Sequence, residues 1–130
     1  MVSDPNLYAG EITAAKRCLA LVIANQVGYD IDMEKRTPHT KLSVVHSMTR
    51  ASGFAITKSA LAGADALGIG YDEIQEILLA LVPSNFYKSM TTYADHQLWQ
   101  DVYHVATMAG DVYLKLVVVD NVLVVSFKEL

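Results

Sequence analysis

"DVYLKLVVVDNVLVVSFKEL", residues 111–130, reads as two strands joined at Asp120-Asn121. Asp and Asn both tolerate the positive φ of a two-residue type I′ turn. With that loop, Val119 faces Val122, Val117 faces Val124, Lys115 faces Ser126 and Tyr113 faces Lys128. Side chains alternate across a strand. One face then carries Val112, Leu114, Leu116, Val118, Leu123, Val125 and Phe127, and this apolar face is expected to meet helices. The other face carries Tyr113, Lys115, Ser126 and Lys128 at the open end, with valines near the turn. Opposed side chains in an antiparallel pair lie roughly 4.5–5.5 Å apart at Cβ. The pairing therefore sets a phenol beside an ammonium, with a second lysine adjacent. By itself such a face is ordinary, because Tyr and Lys are common on the wet side of sheets.

The strand before the hairpin adds to it. In "WQDVYHV" (99–105), Gln100, Val102 and His104 share one face, and Trp99, Asp101 and Tyr103 the other. In "FYKSMTTY" (86–93), Lys88 shares a face with Phe86, Met90 and Thr92. If these faces align with the polar face of the hairpin, Lys88, Gln100, Tyr113 and Lys128 converge.

The preceding half is helical. A helix is expected after Thr37-Pro38, capped by Thr37 or Thr40, stopped at Gly53 and buried through Leu42, Val45, Met48 and Thr49. "FAI" (54–56) reads as a short extended link. Thr57 caps a third helix, "KSALAGADALG", that ends at Gly68. Asp72 caps a fourth, "EIQEILLALV", that stops at Pro83 and buries Ile74, Ile77, Leu78 and Leu81. Residues 1–32 read as an appended segment that the domain after it is not expected to need, with "AGEITAAKRCLALVIANQVG" forming an extra N-terminal helix. Helices first and strands afterwards predict an α+β fold: a mostly antiparallel sheet with helices on one face.

Composition narrows the function. The 130 residues fit one domain, and only 18% are charged while 52% are hydrophobic, which excludes global disorder. The net charge of −4 is the wrong sign for a surface that attracts nucleic acid everywhere. One cysteine, Cys18, rules out an internal disulfide, and no zinc-type Cys/His spacing occurs. "CLALVIA" (18–24) is too short to cross a bilayer, which takes ~20 residues. These features suit a reducing cytoplasm and no membrane.

Five stretches carry a resemblance: "MEKRTPHTKL" (33–42), "SALAGADALG" (59–68), "FYKSMTTYADHQLWQDVY" (86–103), "VYLKL" (112–116) and "VLVVSFKE" (122–129). Together they resemble the MqsR toxins, RelE-like mRNA interferases of bacterial toxin–antitoxin pairs, over residues 33–130. The resemblance implies a RelE-like twisted sheet with helices packed against it. It implies endoribonuclease activity on mRNA, preferentially at short GC-containing sites, without metal, cofactor or ribosome. It also implies four catalytic positions: Lys88 of "FYKS", Gln100 of "WQDVY", Tyr113 of "VYLKL" and Lys128 of "SFKE". The implied partner is an MqsA-type antitoxin, a zinc-containing helix-turn-helix protein, so zinc and DNA would be reached only through that partner.

Metal-free RNA cleavage uses the substrate's 2′-hydroxyl as nucleophile and leaves a 2′,3′-cyclic phosphate and a 5′-hydroxyl. The protein must align the reacting oxygens, move protons and stabilise charge on phosphorus. Lys88 and Lys128 are expected to hold the phosphate, Gln100 to orient the substrate and Tyr113 to take part in proton transfer. Unperturbed Tyr and Lys titrate near ~10 and ~10.4, but neighbouring ammonium groups favour a phenolate. Lys115 and His104 are RNA-binding candidates on the same faces, while His39, His46 and His96 are expected to be structural or solvent-facing.

Two features set this chain apart from that family: the extra residues 1–32 and a shortage of positive charge. Relatives carry basic residues just after the "WQDVY" stretch, where this chain has "HVATMAG" (104–110). With Lys16, Arg17, Asp4, Glu11, Asp30 and Asp32 set aside, residues 33–130 hold 8 basic and 10 acidic residues, net −2. Phosphate contacts dominate nucleic-acid affinity, so weaker RNA binding than in a basic relative is expected. The competing expectation is a catalytically weak module that mainly binds its antitoxin.

Overall fold

The computed structural model describes residues 7–8, 31–92 and 97–130. The expected N-terminal helix and His96 lie outside the described residues. The described residues form seven strands: β1 (Leu7–Tyr8), β2 (Ile31–Lys35), β3 (Phe54–Thr57), β4 (Phe86–Thr92), β5 (Gln100–Thr107), β6 (Gly110–Val119) and β7 (Asn121–Glu129). Three helices are described: α1 (Leu42–Ser52), α2 (Lys58–Ala66) and α3 (Tyr71–Ala80). The strands form one sheet in the order β1-β3-β7-β6-β5-β4-β2. Among the described strands only β3 and β7 pair in parallel. The α+β class and the mostly antiparallel sheet are as expected.

The main core lies between sheet and helices. Val45 of α1, Ala60 and Ala64 of α2, and Ile74 and Leu78 of α3 pack with Tyr103, Leu114, Leu116, Val124 and Phe127 of the sheet. Ile74, Leu78 and Leu81 are buried, as their helical spacing requires. Helix α2 approaches β7 so closely that a Cβ on Gly63 would sit 2.0 Å from the Phe127 carbonyl oxygen. Among the described residues no helix is long and apolar enough to cross a membrane.

Local signals are mixed. The Thr57 hydroxyl accepts the Ala60 N–H at 3.2 Å and caps α2. Gly53 closes α1 at φ 71° and donates to the Thr49 carbonyl, as its left-handed backbone suits glycine. The expected threonine caps of α1 are absent. Lys41 holds the N-cap position, and the Asp101 carboxylate instead accepts the N–H groups of His39 and Thr40, both at 3.0 Å. Helix α3 starts earlier than Asp72: Gly70 is its N-cap, and its N–H donates to the Glu73 carboxylate at 3.1 Å. "FAIT" is a strand rather than a link, buried along its length because it runs parallel inside the sheet. Strand β2, an edge pairing with β4, is an addition to the expected set.

The hairpin departs from its expected geometry in two places that offset each other. Val119 is opposed to Asn121, so the turn centres on Asp120, whose φ is 63°. Val117 therefore faces Leu123 rather than Val124. Val125 is then an extra residue, a bulge between the Lys115 and Leu116 pairings, and it restores the expected register beyond it. Lys115 faces Ser126 and Tyr113 faces Lys128, as alternation implied. The bulge also reassigns faces. Val122 and Val124 join the helix-side core, while Leu123 and Val125 pack with Val117 and Ala55 on the opposite side.

Candidate active site

The sheet face away from the helices gathers the polar residues. Lys88 pairs with Val102, and Val102 with Lys115, which in turn faces Ser126. This row puts Lys88 and Lys115 on the same side, two strands apart. The next row runs His104, Tyr113, Lys128. On the other flank Gln100 faces Met90, whose second neighbour is Glu34 of β2. All four catalytic candidates and both RNA-binding candidates thus share one face.

Phe86 does not join them. A bulge between Phe86 and Lys88 turns Phe86 towards the helices, where its ring meets Tyr103 edge-on at 5.6 Å. The residue between, Tyr87, stays 42% exposed and stacks on His104 with centroids 4.3 Å apart and planes 20° apart. Tyr87 was absent from the sequence candidates because a one-residue bulge leaves no mark on a short strand.

Electrostatics ties the lysines together. Burial pushes the Lys115 ammonium down to about 8, and the charges of Lys128 and Lys88 push the same way. Lys115 is only 5% exposed. A lysine in that range still carries its proton at neutral pH but releases it far more readily than a free one. Lys88 is ion-paired with Glu34. That hydrogen bond holds the Glu34 carboxyl below its ordinary range; burial opposes it, and the charges of Lys88 and then Arg36 add to the lowering.

Gln100 is buried, and its Oε1 has no hydrogen-bond partner. An unsatisfied buried amide oxygen costs stability, roughly 1–3 kcal/mol, unless a ligand or water engages it. Lys128 lies 5.2 Å from the centre of the Tyr113 ring, and His104 6.1 Å from it. Aromatic rings, ammonium groups and an amide therefore surround one patch of sheet.

The neighbouring Asp101 points the other way. It is buried, accepts the Ser89 hydroxyl as well as the two N–H groups before α1, and so holds the structure rather than lining the face. Burial, then the Asp101 charge, raises the Tyr103 phenol far above its ordinary value. His39 stacks on Trp99 at 5.8 Å and meets the Lys35 ammonium at 3.0 Å, and His46 sits on α1, so neither joins the lysine face.

A cleft of about 1050 Å³ lies elsewhere, on the helix side, between Leu67, Ile77 and Val105. Its ionisable lining residues are Glu73 and Glu76, which repel phosphate. Among the described residues no three His, Cys, Asp or Glu side chains are gathered to hold a metal.

Residues 37–129 match the family model described as "Motility quorum-sensing regulator, toxin of MqsA". The chain is 53% identical over 97 residues to the mRNA interferase toxin MqsR of Escherichia coli (strain K12), spanning 75% of this chain and 99% of that relative. With the family model matching residues 37–129, which hold β4, β5, β6 and β7, and a relative 53% identical, the chain belongs to the MqsR toxin family.

Proposed function

We propose that this chain is the toxin of a toxin–antitoxin pair and an endoribonuclease that cleaves mRNA on the face carrying Lys88, Gln100, Tyr113, Lys115 and Lys128. The observation that carries the reading is the gathering of three lysines, a tyrosine and an unsatisfied glutamine oxygen on the side of the sheet away from the helices. Like charges repel, so such a cluster is stable only at a cost that a bound polyanion relieves. The relative's name states the same activity on mRNA.

The cleavage is a metal-independent transesterification. Lys88 and Lys128 hold the non-bridging oxygens of the scissile phosphate. Gln100 accepts a hydrogen bond from a sugar hydroxyl or a base and fixes the in-line geometry. The 2′-oxygen loses its proton and bonds to phosphorus, and the bond from phosphorus to the 5′-oxygen breaks. Tyr113 takes part in moving the 2′-proton. Lys115, with its ammonium near about 8, is matched to give a proton to the leaving 5′-oxygen, since an efficient acid titrates near the working pH. Kinetics of Tyr113→Phe and Lys115→Met test these roles. Each is expected to lower kcat by about 100-fold or more; parent rates would remove the proton-transfer assignment.

The partner is an MqsA-type antitoxin, and contact with DNA runs only through it. Cleavage favours short GC-containing sites, needs no ribosome and takes place in the cytoplasm. Residues 1–32 add Leu7–Tyr8 and Ile31 to the two edges of the sheet but are not needed for these activities, so a chain starting at Met33 should be as toxic as the full one. A second reading, a weak enzyme that chiefly binds its antitoxin, draws on the net −2 of residues 33–130. Absent cleavage of RNA together with tight antitoxin binding would select it.

A further inference from the structure

Tyr87 has an environment that solvent exposure alone does not explain. One side of its ring is backed by His104, stacked at 4.3 Å. The Lys88 ammonium lies 5.5 Å from the ring centre and the Arg36 guanidinium 5.6 Å from it. Behind His104 come the Tyr113 ring at 6.1 Å and, 5.2 Å from that ring, Lys128. The result is a row of three rings with cations at both ends. Its outermost ring is held at a fixed tilt and is still 42% exposed.

A nucleotide offers two groups that such a site matches. A base has a flat π-face that stacks on an aromatic ring whatever its identity. Its phosphate seeks an ammonium or guanidinium. Lys88 is close enough to Tyr87 for one nucleotide to touch both. A guanidinium plane stacks on a base as readily as a ring does, so Arg36 can cover the base that Tyr87 receives.

We propose that Tyr87 is a nucleobase-stacking subsite for the nucleotide beside the scissile phosphate, with His104 fixing the ring and Arg36 closing over the base. This rests on the reading of the lysine face as the RNA-cleaving surface. The subsite also bears on the scarcity of positive charge after Tyr103. A stacking contact gives affinity that does not depend on net charge, which offsets the missing basic residues of "HVATMAG".

The test uses the full chain and a short RNA with a mapped cleavage site. The nucleotide at that site is made 2′-deoxy to prevent cleavage, and 2-aminopurine is placed on one side of it or the other in two separate oligonucleotides. Parent and Tyr87→Phe are expected to quench one of the two probes and to bind within about twofold of each other. Tyr87→Leu is expected to lose the quench and bind about tenfold more weakly. If Tyr87→Leu does not fold, Tyr87→His keeps a flat ring and Tyr87→Thr removes it while preserving strand propensity. Parent-like quenching and affinity in the ringless variant, alongside lost cleavage of ordinary RNA in Lys88→Ala, would overturn the subsite alone. Parent-like behaviour of both would overturn the reading of the face as well.

Discussion

The Glu34 carboxylate on β2 is ion-paired with the Lys88 ammonium on β4, across the edge pairing of the sheet. The lysine proposed to hold the scissile phosphate therefore already holds an anion. Carboxylate and phosphate compete for one cation, and the carboxylate must yield when RNA binds.

Glu34→Gln removes the competitor while keeping size and hydrogen-bonding capacity. The expected result is a KM for RNA lowered about threefold to tenfold, with kcat little changed. Because Lys88 holds the Glu34 carboxyl below its ordinary 4.5, the pair is intact at neutral pH. It is lost only as pH falls below 4.5 through the depressed value. The difference between parent and variant should thus shrink in acid. A raised KM in Glu34→Gln at neutral pH would mean that the carboxylate positions Lys88 instead.

Lys115 predicts opposite effects on stability and function. Its folded value of about 8 lies below the ordinary 10.5. Between those values the unfolded chain holds more protons, so stability rises with pH across that window, and below about 8 the full cost is felt. Lys115→Met should therefore raise stability at pH 7 by on the order of 2 kcal/mol. That gain should fade as pH approaches the ordinary lysine range, while RNA binding at pH 7 weakens. Chemical denaturation at several pH values reads the first effect and filter binding the second. A stability gain that persists unchanged in strong alkali would contradict the burial argument.

Adjacent residues of "WQDVY" should separate cleanly. Gln100 faces the lysines and Asp101 holds the two N–H groups before α1. Asp101→Ala should cost about 2–3 kcal/mol of stability, since it takes a partner from the buried Ser89 hydroxyl and from the two part-buried N–H groups. Gln100→Ala should lower kcat with little loss of stability, because its oxygen has no partner to lose. Melting and kinetic measurements on both variants check the division; a Gln100→Ala that melts as early as Asp101→Ala would contradict it.

Gly63→Ala tests the packing that sets the face. The added Cβ would meet the Phe127 carbonyl at 2.0 Å, so α2 or β7 must move. A loss of about 3 kcal/mol is expected by denaturant titration. Unchanged stability would show that the helix has slack against the sheet.

Alternation placed Tyr113 with Lys128 on one face and Gln100 with His104 on another, but whether those faces and that of Lys88 align is set by strand pairing that periodicity does not reveal. A period of two assigns side chains only between bulges, and Phe86, Leu123 and Val125 fall on other faces than it gave. The Tyr113 and Lys128 pairing came out as expected by offset: the turn is one residue tighter, and the Val125 bulge adds one back. No glycine or proline marks that bulge, nor the one at Tyr87, so sequence could not place either. "FAIT" was hidden by its length and by helices on both sides. "IDMEK" was hidden by having too few apolar residues to reveal an edge strand. Its loss mattered most, because Glu34 and the ion pair with Lys88 lie on it. The family resemblance supplied what periodicity could not, namely which polar residues on an ordinary-looking face are chemical.

The most direct test is incubation of the purified full chain with a defined RNA in excess EDTA, parent beside Lys88→Ala, with the product ends identified. The account predicts that the parent cleaves in EDTA, leaving 2′,3′-cyclic phosphate and 5′-hydroxyl ends, and that Lys88→Ala loses at least about 100-fold of the rate. Cleavage that stops on chelation, or that proceeds at the parent rate in Lys88→Ala, would contradict it.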